Sequence, residues 1–103
     1  MTLEETAVSL EALGNSTRLA IYRLLVRAGP DGLAVGSIQA ATEVPHSTLS
    51  HHLHRLISVQ LVEQERQGTT LICRANYATM DRVIAFLTAE CCADAERDGA
   101  DAA

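Results

Sequence analysis

Two clusters of side chains in this 103-residue chain have the types and spacing to do chemistry. The first is the run from Pro45 to Leu56, in which Ser47, Thr48, Ser50, His51, His54 and Arg55 lie between Leu49, Leu53, Leu56 and the following Ile57. Apolar residues at that spacing line one side of a helix, and the hydroxyls, imidazoles and guanidinium occupy the rest of its circumference. Such donors on an exposed helix, with no carboxylate among them, suit base edges in a DNA major groove, so the run reads as a recognition helix. An ordinary solvated helix face would show the same pattern by itself. The flanking elements must decide between the two. The second cluster is Cys91-Cys92. Thiolates are soft ligands, and a pair of them favours soft metals and thiophilic metalloids such as trivalent arsenic or antimony over harder ions. Successive side chains in an intact helix diverge by about 100°, so neighbours grip one atom only where the helix unwinds.

The recognition helix has to be positioned by its neighbours. Val35 to Glu43 has helical spacing, Glu43-Val44-Pro45 breaks it, and Ser47 can restart the chain as a hydroxyl cap, which is helix-turn-helix spacing. Further on, Leu61-Val62-Glu63-Gln64-Glu65 and Thr70-Leu71-Ile72-Cys73-Arg74-Ala75 are β-prone segments around Arg66-Gln67-Gly68-Thr69, where Gly68 supplies the backbone freedom of a hairpin. A hairpin after a recognition helix is a wing. The predicted fold is therefore mainly α with a small β-hairpin, a winged helix-turn-helix of about five helices plus a two-stranded wing. Ser47, Thr48, Ser50, His51 and His54 are then placed towards bases, and Arg55, Arg66 and Gln67 towards phosphates. Leu3, Ala7, Leu10 and Gly14 repeat near helical spacing in the first helix, and Tyr77, Met80, Ile84, Leu87 and Cys91 in the last, after a cap at Asn76. Two apolar terminal helices on so small a chain predict dimerisation through the first and last helices, the alternative being that both only cover the monomer core.

Composition bounds the function. An apolar content of 48%, with one Phe, two Tyr and no Trp, describes an aliphatic, helix-rich single domain. It is read as residues 1–92, followed by a small, acidic, disordered tail over 93–103. The net charge of −5 has the wrong sign for a phosphate binder. Between Ser16 and Arg74, however, Arg18, Arg23, Arg27, Arg55, Arg66 and Arg74 outnumber Asp31, Glu43, Glu63 and Glu65, and the chain has no Lys. Modest, salt-sensitive affinity that depends on dimerisation is expected. No membrane span or targeting signal is present, which predicts a cytoplasmic protein with no membrane partner. In that reducing compartment Cys73, Cys91 and Cys92 are packing groups, reactive thiols or soft ligands rather than a disulfide framework. His46, His51 and His54 lack a neighbouring carboxylate or thiolate and read as DNA donors rather than metal ligands. With no glycine-rich phosphate loop and no nucleophile beside an oriented base, the chain does not read as an enzyme.

Two stretches carry a family resemblance that covers the chain from about Leu10 to Cys92. Ala12-Leu13-Gly14-Asn15-Ser16-Thr17-Arg18-Leu19-Ala20-Ile21-Tyr22-Arg23-Leu24-Leu25 is similar to the opening "ALGDPTRLRILRLL" signature of the ArsR/SmtB metalloregulatory repressors, and Ser47-Thr48-Leu49-Ser50-His51-His52-Leu53 to their "STVSRHL" recognition helix. The resemblance implies a homodimeric repressor that binds palindromic double-stranded operator DNA when empty and releases it when an inducer binds, with the terminal helices pairing across the dimer axis. Two of the family's sensing sites are not matched. Ala34 and Gly36 stand at the cysteine positions of its "CVC" motif, and the last helix has Asp81 but no histidine for its zinc site. Leu87-Thr88-Ala89-Glu90-Cys91-Cys92 resembles the "LTENCC" pattern of a subgroup of arsenic repressors, which implies Cys91 and Cys92 as inducer ligands. The third cysteine of that subgroup is Asp98 here.

Cys73 on the second wing strand is the remaining thiol that could complete a three-sulfur site, its other reading being a small buried hydrophobe. With two thiols alone, arsenite needs a hydroxide or an external thiol as third ligand, whereas methylarsenite already has its methyl group. The expected inducer is arsenic(III) or methylarsenic(III), with antimony(III) a further candidate, and no cofactor is required for folding. Two alternatives stand beside this reading: a repressor of the same fold that senses thiol oxidation or reactive sulfur, and a dimeric protein-interaction module, in keeping with the acidic charge.

Overall fold

The computed structural model describes residues 1–95. The tail expected over 93–103 therefore lies, from residue 96 onward, outside the described residues. The chain runs α1 (Leu3–Leu13), α2 (Ser16–Ala28), β1 (Leu33–Ala34), α3 (Val35–Thr42), α4 (His46–Ser58), β2 (Val62–Gln67), β3 (Thr70–Ala75) and α5 (Tyr77–Thr88). Among the described residues, five helices and an antiparallel wing make the winged helix-turn-helix expected from the spacing. The sheet has three strands and not two, in the order β1-β3-β2. Leu33 pairs with Cys73 and Ala34 with Ile72, so β1 uses the edge of β3 that the hairpin leaves open. A two-residue strand carries no periodicity from which it could be read.

Local chemistry sets most of the boundaries. Asn15 opens α2, its Oδ1 accepting the N–H groups of Thr17 and Arg18 at 3.0 and 3.1 Å. Asn76 caps α5 as predicted, accepting the Thr79 N–H at 3.3 Å. Ser47 does not cap α4. That helix begins one residue earlier, at His46, with Pro45 in the cap position at φ −55° and no side-chain cap. The proline ring already holds the backbone angle needed to enter a helix, so the restart needs no hydroxyl. Glu43, in the left-handed region at φ 58°, ends α3 at Thr42 and begins the turn into α4.

The core gathers Ile21, Tyr22 and Leu25 of α2, Ile38 of α3, Leu49, Leu53 and Leu56 of α4, and Leu61, Val62, Cys73 and Ala75 at the base of the wing. The leucine stripe of α4 thus faces inward, with Ile57 packed against its edge. The terminal helices behave differently. α1 buries Thr6, Ser9 and Ala12, and α5 buries Thr79 and Val83. Several of their large apolar residues stay outside, Leu3 67% exposed, Ile84 52% and Leu87 58%, while Leu13 and Met80 pack against the core. Most of each stripe legible in the sequence lies on a face that the single chain leaves exposed, with Met80 packed against the core as the exception. Among the described residues no helix is long and apolar enough to cross a membrane.

Candidate nucleic-acid interface and cysteine pair

Because Leu49, Leu53 and Leu56 pin one side of α4 in the core, the remaining circumference of that helix is turned outward. Ser47, Thr48, Ser50, His51 and His54 are all exposed there. His52, which the spacing did not single out, is turned partly inward, with its Nδ1 3.5 Å from Nη1 of Arg18. Burial, then the Arg18 charge, then His51 hold its pKa below the ordinary imidazole value, which favours the neutral ring. Arg18 also donates from Nε to the Ala12 carbonyl oxygen, so one side chain ties α2 to the end of α1 and to the recognition helix.

The arginines are less available than their number in the sequence implied. Arg55, placed towards phosphate by its position on α4, pairs with the Glu11 carboxylate of α1. Arg74 donates to the Pro30 carbonyl oxygen at 2.9 Å and lies 3.7 Å from Glu65. Of the predicted phosphate-facing residues, Arg66 and Gln67 stand exposed at the end of β2, beside the turn that Gly68 closes at φ 64°. The Gln67 side chain donates to Glu65 at 2.7 Å. No spacing rule could have found the Glu11 contact, since the two residues are 44 positions apart.

Cys91 and Cys92 lie beyond α5 and not on it. The helix stops at Thr88, whose hydroxyl donates back to the Ile84 carbonyl at 3.0 Å, and its last turn has no basic side chain to hold the open carbonyls. Turns follow: the Cys91 N–H donates to the Thr88 carbonyl at 3.1 Å and the Ala93 N–H to that of Glu90 at 2.9 Å. The expectation that Cys91 continues the helical stripe is therefore corrected. Glu90 and Cys92 both take positive φ, at 61° and 63°. In this unwound segment the two exposed sulfurs approach to 3.1 Å. Contact with the Cys91 thiol is the main cause that raises the pKa of Cys92.

Cys73 is elsewhere. It is fully buried in the core, burial raises its pKa, and Gln64 donates from Nε2 to its sulfur at 3.5 Å. Among the described residues no three His, Cys, Asp or Glu side chains form a metal-ligand group. The fold brings Cys91 and Cys92 together and leaves Cys73 apart from them.

Residues 13–65 match a family described as a helix-turn-helix domain. The chain is 35% identical over 66 residues to an uncharacterised HTH-type transcriptional regulator of Methanocaldococcus jannaschii, covering 64% of this chain and 72% of that protein. Its fold is similar to that of an ArsR-like transcriptional regulator from Rhodococcus sp. RHA1, with TM-score 0.72 and 26% identity over 95% of this chain and 82% of the other. It is also similar to a homodimeric winged helix-turn-helix DNA-binding domain from Mycobacterium bovis, a possible ArsR-family regulator, with TM-score 0.69 and 31% identity over 85% of this chain and 82% of the other.

Proposed function

Because this chain belongs to the helix-turn-helix family and is a DNA-binding transcriptional regulator of the ArsR type, we propose that it is a homodimeric repressor, released from its operator when trivalent arsenic binds Cys91 and Cys92. The observation that carries the inducer assignment is the 3.1 Å approach of two exposed thiols in an unwound segment directly after α5. One thiophilic atom can bridge sulfurs so placed. Each As–S bond forms as a thiol proton leaves with an arsenic-bound hydroxide as water, so two thiols take two of the three positions on arsenic. Methylarsenite then needs no further ligand, and arsenite keeps one hydroxide. Antimony(III) has the same donor preference.

Dimerisation is supported by the apolar faces of α1 and α5 that the single chain leaves exposed, and by the homodimeric state of the Mycobacterium bovis domain. Coupling follows from chain order, because the thiols sit immediately after the helix assigned to the dimer interface. An inducer releases DNA only by binding the off-operator arrangement more tightly, and a coupling of ~1–3 kcal/mol lowers operator affinity roughly 5- to 150-fold. The likeness to transcriptional regulators favours this reading over a protein-interaction module.

Fluorescence anisotropy tests it, using DNA from the protein's own promoter, reduced protein, and titration with arsenite and methylarsenite. Release from wild type and retention by Cys91→Ser and Cys92→Ser variants are the expected results. Tight binding by wild type that neither arsenical disturbs would remove arsenic as inducer.

A further inference from the structure

All four histidines of the chain lie on α4, and the one arginine of that helix, Arg55, pairs with Glu11 of α1. With that guanidinium engaged, the imidazoles are the groups through which the outward face of α4 can gain positive charge. They are not equivalent. His46 is the first residue of the helix, where the positive end of the helix dipole opposes protonation. His52 is turned towards Arg18, and burial and the Arg18 charge favour its neutral ring. A neutral His52 does not oppose charging of His51, whose ring centroid lies 6.2 Å away. His51 and His54 remain, both exposed and about one turn apart on the same side of the helix.

The elements packed against α4 bring charges of both signs. α1 contributes Glu11, held by Arg55, and Glu4 and Glu5, which lie near Ser58 at the C-terminal end of α4. α2 contributes Arg18, which donates to the Ala12 carbonyl oxygen, and the exposed Arg23 and Arg27. β2 contributes Glu63, Glu65 and Arg66, with Glu65 engaged by Gln67 and Arg74. Glu43 stands in the turn before the helix. Among the described residues no carboxylate contacts the ring of His51 or His54, so each has its charge-accepting position open to a partner from outside.

We propose that His51 and His54 take up protons as α4 enters the DNA, which makes operator binding pH-dependent, with affinity rising as pH falls from about 8 to 6. This coupling rests on the DNA-binding reading and adds a regulatory signal to it that is independent of the inducer. A polyanion beside an imidazole favours the charged ring, and by linkage the charged ring favours the polyanion to the same extent. Protonation turns both ring nitrogens into donors, where the neutral ring offers one. Each imidazolium that meets the DNA backbone also displaces counterions, so the dependence of affinity on salt steepens in acid. An acidic chain without lysine thereby gains positive charge on its recognition helix only under conditions that supply protons.

The test is anisotropy of the full, reduced chain on DNA from its own promoter and on a scrambled duplex, at about pH 8 and about pH 6 over a series of salt concentrations. Wild-type affinity for the promoter should rise about tenfold or more at the lower pH, with a steeper salt slope. Acid destabilises the fold through His52, so partial unfolding would weaken binding and cannot imitate that gain. A double His51→Gln, His54→Gln variant keeps side-chain donors that do not titrate. Whatever its affinity at the higher pH, its ratio between the two should fall below about threefold. His51→Arg replaces one titrating group by a fixed charge and should show a smaller ratio than wild type. Both rings are exposed, so these variants should keep the wild-type circular dichroism at both pH values. A wild-type ratio below about twofold overturns the coupling. A double variant that keeps the full ratio also overturns it, because other groups would then take up the protons. Binding to neither duplex at either pH overturns the regulator reading, whereas tight binding without a pH response overturns the coupling alone.

Discussion

Among the histidines of α4, neighbours and not residue type decide the role. His51 and His54 are exposed where donors can meet DNA, while His52 lies against Arg18. Its pKa is depressed in the folded state below the ordinary 6.5, first by burial and then by the Arg18 charge. Protonation therefore favours the unfolded chain: the stability associated with a neutral His52 is fully present above about pH 6.5 and is lost as pH falls below it. Urea unfolding at roughly pH 7.5 and 5.5 should show a larger acid loss in wild type than in His52→Asn. Equal losses would assign the acid sensitivity to other groups. At the same scale, Cys91 and Cys92 are chemically available and Cys73 is not, although all three are thiols.

At the scale of elements, the wing depends on two glycines that play different parts. Gly68 takes φ 64° in the hairpin turn, with open space where a Cβ would stand. Gly32 takes φ 69° just before β1, and a Cβ there would overlap the Cys73 carbonyl oxygen and the Arg74 side chain. Gly68→Ala should cost only the left-handed backbone term, about 1–2 kcal/mol. Gly32→Ala should cost on the order of 3 kcal/mol or more, since β1 must also be pushed away from β3. Chemical denaturation of the two variants measures the difference. Equal costs would mean that the approach of the β1 segment to β3 is loose. Gly68 was recognisable as a turn residue from its neighbours. Gly32 was not, because what it approaches is a strand about 40 residues further along the chain.

For the whole molecule, the surface that one chain leaves unburied has the largest consequence. α1 and α5 bury Thr6, Ser9, Ala12, Thr79 and Val83 and leave Leu3, Ile84 and Leu87 exposed. A double Ile84→Glu, Leu87→Glu variant should keep its helical circular dichroism, because neither side chain belongs to the monomer core. It should sediment as a monomer and bind operator roughly 100-fold more weakly, having lost the linked second half-site. A variant that remains dimeric would move the interface away from α5. The proposed dimer also matters to the proposed switch, since a segment rearranged by an inducer would reach the recognition helices only through elements packed against it.

What the sequence determined by itself is what short-range spacing encodes. The inward leucines of α4, the break at Pro45, the hairpin at Gly68 and the Asn76 cap each depend on residues within a turn or two of one another, and all appear in the structure. The exposed faces of the terminal helices were likewise legible as stripes, although only the fold shows that the monomer buries their opposite sides. Tertiary structure alone decided the rest: the third strand, the Arg55–Glu11 pair and the inward His52. Each joins groups that chain folding brings together across tens of residues, as with the 34 positions between Arg18 and His52. The convergence of the two thiols belongs to both levels. Their adjacency is written in the sequence, but their sulfurs meet because the backbone leaves the helix at Thr88 and reverses through two left-handed residues.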